Sequence, residues 1–294
     1  MTDPRVSALA QEMLDAYTAG RLIAVPPSAR EGGCDLDTGY AVEAELTRIR
    51  RAAGRRTVGR KIGLANRAVW RAMKMKTLVW ANMYDDTVHQ ATRGEATLSL
   101  ARMRAPRLEP EIVVKLKTVP ERGPSSQHGP VGSQSDPTML QPGVDAAGAL
   151  EAVEWYAFAF EVVDCPFPDW KFTPGDFMAS LGLHAALVVG EPRPVRPEAI
   201  PQLVGELAAF TARLSKNGQV VQEGGGRNVL DSPALCLVEL ASAVPAQPGA
   251  EPLRAGELIS TGSLTVAPPI AAGERWSVVG HGLDVPELSL RLTP

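Results

Sequence analysis

Two apolar runs read as strands, and each carries carboxylates where a buried strand ordinarily carries none. Leu108-Glu109-Pro110-Glu111-Ile112-Val113-Val114 opens on two glutamates and continues as core. Phe158-Ala159-Phe160-Glu161-Val162-Val163-Asp164 is interrupted by Glu161. Side chains alternate across a strand, so Glu109 and Glu111 share a face. Like charges on one face repel unless a cation stands between them, and a charge inside a core-like run needs a partner. Three glutamates around one pocket would make a hard oxygen site suited to Mg²⁺ or Mn²⁺. The competing reading is a surface pair at Glu109 and Glu111, with Glu161 bridged to a lysine or arginine.

Around these runs the chain is rich in turns. It holds 27 glycines and 25 prolines in 294 residues, about 18% against roughly 12% in average usage. That excess disfavours an all-helical bundle. Residues 1–56 read as a helical segment: Asp3 caps and Pro4 opens a helix that Gly20 closes, and Asp37 caps a second helix. From residue 57 the pattern turns to short strands, expected at 57–63, 111–117, 155–163, 184–190, 207–215, 219–223, 258–266 and 276–279. Lys216-Asn217-Gly218 is a hairpin turn, and Asp231-Ser232-Pro233 starts a helix. The expectation is an α+β chain, with helical residues 1–56 and a β-rich domain over 57–294 of Greek-key or roll type. Residues 118–148, with five prolines and five glycines, read as a flexible insertion.

Several function classes are disfavoured. With a net charge of -3 and 5% aromatic residues, the chain lacks a basic field or stacking surface for nucleic acid. No window reads as a membrane span, and the N-terminus lacks a signal-peptide pattern. Cys34, Cys165 and Cys236 are odd in number and lack CxxC spacing, which points to reduced thiols in a cytoplasmic protein. No GxSxG supports serine hydrolase chemistry.

Two lysines stand in unusual places. Lys61 sits in the strand-like Val58–Gly63 run and Lys171 follows Asp169-Trp170; either could act as acid or base in a dry pocket, or simply snorkel or pair. Gly262 and Ser263 could offer an N–H and a hydroxyl to a carboxylate. Gly224-Gly225-Gly226 lacks a P-loop context and reads as a tight backbone path beside a ligand. His184, inside an apolar run, reads first as a satisfied core histidine.

Together these segments resemble the 2-keto-4-pentenoate hydratase/4-oxalocrotonate decarboxylase family of the fumarylacetoacetate hydrolase superfamily. The resemblance is carried, in order over most of residues 5–270, by Gly59-Arg60-Lys61-Ile62-Gly63-Leu64 and Pro106-Arg107-Leu108-Glu109-Pro110-Glu111. It continues in Glu161-Val162-Val163-Asp164, Asp169-Trp170-Lys171, Lys216-Asn217-Gly218, Gly256 and Thr261-Gly262-Ser263-Leu264. It implies a mixed β-roll core and a divalent metal, Mg²⁺ or Mn²⁺, at Glu109, Glu111 and Glu161. It further implies a 2-oxo acid substrate near Arg60, Leu64, Gly262 and Ser263. A metal chelated by a 2-oxo carboxylate is a Lewis acid that stabilises an enolate; Lys61 would move the proton, and Lys171 would balance charge or contact substrate.

The implied reaction is hydration of a 2-hydroxy-dienoate to a 4-hydroxy-2-oxo acid. The alternatives are decarboxylation of a 2-oxo-3-enedioate, hydrolysis of an acylpyruvate, and a non-catalytic partner subunit. A homo-oligomer, or a complex with another enzyme of the pathway, is also implied. Two positions depart from the family. Met73-Lys74-Met75-Lys76 stands where members carry a Pro-Asp-Phe-Gly-like stretch, and the added lysines could bind a distal carboxylate. His184 stands where a serine is frequent, and could handle substrate or protons.

Overall fold

The computed structural model describes residues 3–119 and 145–294. Helix α1 (Pro4–Ala19) is capped by Asp3, whose carboxylate accepts from Arg5 N at 2.8 Å, and ends at left-handed Gly20. The second helix, α2 (Leu36–Ala52), is capped by Asp35 rather than Asp37: Asp35 accepts from Thr38 N, and Asp37 falls in the first turn. Both helices bury apolar faces in the same core as the strands that follow.

Strands and helices then alternate: β1 (Thr57–Gly63), α3 (Arg67–Met73), β2 (Val79–Tyr84), β3 (Val88–Gln90), β4 (Glu95–Ser99) and β5 (Pro106–Leu116). After residue 145 come α4 (Ala146–Glu151), β6 (Val153–Asp164), α5 (Pro174–Ala179), β7 (His184–Val189) and β8 (Arg193–Pro194). The chain closes with α6 (Ile200–Ala209), β9 (Thr211–Lys216), β10 (Gln219–Gly225), α7 (Pro233–Ala246), β11 (Leu258–Ser263), β12 (Arg275–His281) and β13 (Leu288–Thr293).

This is an α+β fold of two mixed sheets. The larger has the order β2-β1-β11-β5-β6-β7-β3, with β8 also paired to β6; the smaller has the order β10-β9-β12-β13-β4. The sheets meet where Phe158 of β6 packs on Phe210, ring centroids 6.4 Å apart. Strands β5 and β6 are the hydrophobic centre: Ile112, Val113, Phe158, Phe160 and Val162 are all fully buried.

The structure departs from the sequence reading in places. The strand expected at 207–215 begins only at Thr211: residues 207–209 are the end of helix α6, which buries Ile200, Leu203 and Leu207 at helical spacing. The C-terminal stretch adds a strand that was not expected: β13 joins β12, which covers the strand expected at 276–279, in the smaller sheet. Of the 118–148 insertion, Asp145 caps α4, and residues 120–144 lie outside the described residues. The stretch Gly226–Ala246 is long and apolar enough to cross a membrane by length and composition alone. In the fold, 56% of its apolar window is buried, because α7 packs as a core helix.

Candidate active site

Strand register brings the glutamates together. Glu109 of β5 and Glu161 of β6 are direct cross-strand partners, and Glu111 lies two residues along on the same face. One oxygen from each of the three lies within 4.8 Å of the others. Like charges directly opposite one another are destabilising, so this register persists only with a cation or protons among the carboxylates.

The carboxylates are anchored unequally. Glu111 Oε2 accepts from Gly262 N at 2.9 Å and from the Ser260 hydroxyl, while Oε1 is buried with no hydrogen-bond partner. The local backbone makes this possible. Between Ser260 and Ser263 the β11–β5 register shifts, freeing the Gly262 N–H to turn toward Glu111. Gly262 has φ 105°, and a Cβ there would stand 2.9 Å from Ala65 Cβ. Glu161 shows the same division: Oε1 accepts from His184 Nδ1 at 2.8 Å, and Oε2 has no hydrogen bond but lies 3.3 Å from Lys61 Nζ. Each of these two buried glutamates thus keeps one oxygen hydrogen-bonded, while the other is without a partner in Glu111 (Oε1) and paired only with the Lys61 ammonium in Glu161 (Oε2).

Lys61 is almost fully buried; its Nζ donates to Gly182 O at 3.0 Å and lies 5.1 Å from the Phe177 ring centre. That carbonyl is aimed by an unusual turn, in which Leu181, Gly182 and Leu183 all have φ between 58° and 60°. A left-handed conformation costs a non-glycine residue roughly 1–2 kcal/mol, so the fold spends stability to hold this carbonyl on the ammonium.

The electrostatics follow from this packing. Burial opposes charge on Lys61, but Glu161, Glu109 and Glu111 outweigh it and raise its pKa. Burial likewise opposes charge on Glu161, but Lys61 and His184 hold it below the usual carboxylate range. Glu109 opens to a cavity, yet burial and the Glu161 charge, opposed by Lys61, push it up to about 7. Burial and the two neighbouring glutamates push Glu111 well above its ordinary value. The set is short of positive charge.

Three hard oxygen donors, two of them buried with an oxygen that takes no hydrogen bond, fit a divalent cation. Its two positive charges with that of Lys61 would balance three carboxylates. Of the three glutamates, Glu109 lines a cavity of about 450 Å³ that Lys61 also borders, and Glu111 and Glu161 lie buried behind it. Leu64, Val69, Trp170, Phe172 and Phe177 form apolar walls, and Asn228, Gly262 and Ser263 bring polar groups. A larger cleft of about 650 Å³ between Tyr17, Arg50 and Asp86 holds none of the three glutamates.

The other expected residues divide. Leu64 is a wall residue at φ 55°, its carbonyl accepting from Trp70 Nε1 at 2.7 Å. Gly262 and Ser263 also line the cavity, but the Gly262 N–H serves Glu111, and the Ser263 hydroxyl donates to Thr265 O at 2.8 Å. His184 stands behind Glu161 rather than in the cavity wall.

Arg60 is turned away from the site, because strand alternation that points Lys61 inward points its neighbour outward. It stacks on Trp80 at 4.5 Å and donates to Glu251 O at 2.7 Å. Lys171 is 81% exposed and pairs with Asp169 at 3.5 Å. Left-handed backbone at Asp169 and Trp170 turns Trp170 into the cavity and leaves Lys171 outside. Lys74 and Lys76 are exposed and absent from the cavity walls.

The glycine run does not border a ligand space. A Cβ at Gly224 would meet Leu264 O at 1.9 Å, and one at Gly226 would meet Leu207 O at 1.8 Å, so it permits backbone to pack on backbone. Sequence reasoning missed Ser260, Thr87, Phe177 and the Gly182 carbonyl. Ser260, a hydroxyl in an apolar strand two residues before Gly262, carried a readable signal; Thr87 carried none.

No family model matches the chain. It is 30% identical over 275 residues to 2-keto-4-pentenoate hydratase 2 of Dechloromonas aromatica, covering 93% of each protein. It is 29% identical over 269 residues to 4-oxalocrotonate decarboxylase of a Pseudomonas species, covering 92% of this chain and 91% of that one. The fold matches the solved structure of 4-oxalocrotonate decarboxylase from Pseudomonas putida G7 complexed with magnesium and adipate. That match has a TM-score of 0.81 at 24% identity, covering 99% of this chain and 98% of that one.

Proposed function

The chain belongs to the 2-keto-4-pentenoate hydratase/4-oxalocrotonate decarboxylase family, a family of lyases, and we propose that it is a divalent-metal-dependent hydratase. Its substrate is a 2-hydroxy-2,4-dienoate or the corresponding 2-oxo acid, converted to a 4-hydroxy-2-oxo acid. The observation that carries this reading is the convergence of Glu109, Glu111 and Glu161 around Lys61, with an oxygen that takes no hydrogen bond on each of Glu111 and Glu161.

In this reading Glu109, Glu111 and Glu161 hold Mg²⁺ or Mn²⁺, which supplies Lewis acidity toward the substrate's 2-oxo and carboxylate oxygens when bound. Lys61 Nζ, held by Gly182 O, carries the proton to and from the carbon chain. Trp170, Phe172 and Phe177 seat the hydrocarbon end and keep bulk water from it. Asn228 Nδ2 is committed to Leu264 O at 2.7 Å, so its amide oxygen is the group left to meet substrate or the added water. The three cysteines are free and buried, which fits the reducing cytoplasm expected from the sequence.

One observation favours hydration over decarboxylation of a dicarboxylate. Among the described residues that line the cavity, Lys61 is the sole lysine or arginine. The test is a substrate panel with Mg²⁺: five- and six-carbon 2-hydroxydienoates followed by loss of ultraviolet absorbance, and 4-oxalocrotonate followed by CO₂ release. Hydration without CO₂, abolished by chelator and by Glu111→Gln, is the expected result. CO₂ release as the faster reaction reverses the order of the two activities, and turnover indifferent to both chelator and Glu111→Gln overturns the metal-dependent reading.

A further inference from the structure

We infer that His184 is a positioning residue for the cation ligand Glu161, and that Thr87 holds His184 in that role; this rests on the metal-site reading above. Glu161 is 0% exposed, so its orientation is set wholly by protein groups. Its Oε1 accepts from His184 Nδ1 at 2.8 Å, and its Oε2 has no hydrogen bond and faces Lys61 Nζ at 3.3 Å. An ionised carboxylate only accepts, so Nδ1 carries the proton in this contact and Oε1 is engaged. Oε2 is left as the atom for the cation.

The histidine is itself fixed. With Nδ1 carrying the proton, Nε2 is left to accept, so the Thr87 hydroxyl donates to it at 2.9 Å, while Thr87 Oγ1 accepts from Tyr84 N at 3.3 Å in the turn that follows β2. A chain of contacts therefore runs from the β2 turn through Thr87 and His184 to Glu161. All of its side chains are at most 5% exposed. Neither His184 nor Thr87 lines the cavity where substrate would sit, so the pair acts through Glu161 and not on the reacting atoms. Groups that fix the orientation of a metal-binding carboxylate typically alter affinity 10–100-fold when removed.

The test is Mn²⁺ binding to the full-length protein by calorimetry, with the electron paramagnetic resonance spectrum of bound Mn²⁺ as a second readout. His184→Leu removes both contacts and should weaken Mn²⁺ about 10–100-fold with an altered spectrum. His184→Asn keeps an N–H near the Nδ1 position and should recover most of that loss. Thr87→Val should weaken binding by roughly threefold to tenfold.

A purely structural histidine would lower the unfolding temperature while leaving affinity and spectrum as in wild type; that result overturns the inference. If His184→Leu does not fold, Thr87→Val and His184→Asn decide alone: wild-type affinity in Thr87→Val, or a loss in His184→Asn larger than in Thr87→Val, overturns it. The two readings fail differently. Wild-type protein that binds Mn²⁺ no better than Glu111→Gln overturns the metal site and the inference together. Wild-type binding that Glu111→Gln abolishes and His184→Leu leaves intact overturns only the inference.

Discussion

Cation binding at the three glutamates must displace protons, and this gives the proposed site a pH signature. Without metal, burial and the neighbouring Glu161 charge push Glu109 to about 7, against the pull of Lys61, and Glu111 stands well above its ordinary value. Cations and protons compete for the same oxygens. For Glu109 alone, raising the pH from near 6 to near 8 takes the carboxylate from mostly protonated to mostly ionised, which strengthens Mn²⁺ binding about tenfold, equivalent to roughly 1.4 kcal/mol. Glu111 adds to this, so the full gain exceeds tenfold. The assay is calorimetric titration across that range in buffers of different ionisation enthalpy, which counts protons released per ion. Between one and two protons near pH 6.5, falling toward higher pH, is expected, and Glu109→Gln should remove about one of them. Affinity that is flat with pH, or binding without proton release, would refute the claim that these buried carboxylates receive the ion.

The same shift sets the stability of the metal-free protein. A Glu109 carboxyl near 7 when folded, against an ordinary value near 4.5, binds its proton more tightly in the folded state. This group's contribution to stability is therefore fully present below about pH 4.5 and lost as pH rises through about 7, by up to about 3 kcal/mol; denaturant unfolding with chelator should show it between about pH 5 and 8, and Glu109→Gln should flatten the slope. Lys61→Met should cut turnover by about 10²–10⁴-fold while Mn²⁺ still binds by calorimetry, and near-normal turnover would remove Lys61 from the chemistry. Gly262→Ala forces an alanine to φ 105° with its Cβ 2.9 Å from Ala65 Cβ; a loss of about 2–4 kcal/mol in urea unfolding, with weakened Mn²⁺ binding, is expected from strain and overpacking.

How much of this was readable depended on whether a signal was local. Glu109, Glu111 and Glu161 stood out because carboxylates inside apolar strands contradict their surroundings, and period-2 alternation gave Glu109 and Glu111 a common face. The hairpin was readable because Asn217 and Gly218 both take positive φ, 50° and 84°, which few residue pairs accept. The same alternation that points Lys61 inward points Arg60 outward, so the placement of Arg60 could have been read from β1 alone. Lys171 was misplaced because the left-handed turn at Asp169 and Trp170 has no glycine to announce it. Thr87 meets His184 across 97 positions of sequence, a contact made by the β2 turn and the β7 register and carried by no local pattern. The end of helix α6 was read into the strand expected at 207–215 because the short apolar stretch 207–210 suits strand and helix equally.

The central claim is that one divalent ion sits among three glutamates drawn from β5 and β6. Diffraction from crystals soaked in Mn²⁺ and pyruvate, recorded at the manganese absorption edge, tests it most directly. A single anomalous peak about 2.0–2.3 Å from one oxygen each of Glu109, Glu111 and Glu161 is expected, with the Glu161 contact made by Oε2. A saturated crystal with no peak among these carboxylates, and Lys61 still bridging them alone, would contradict the account.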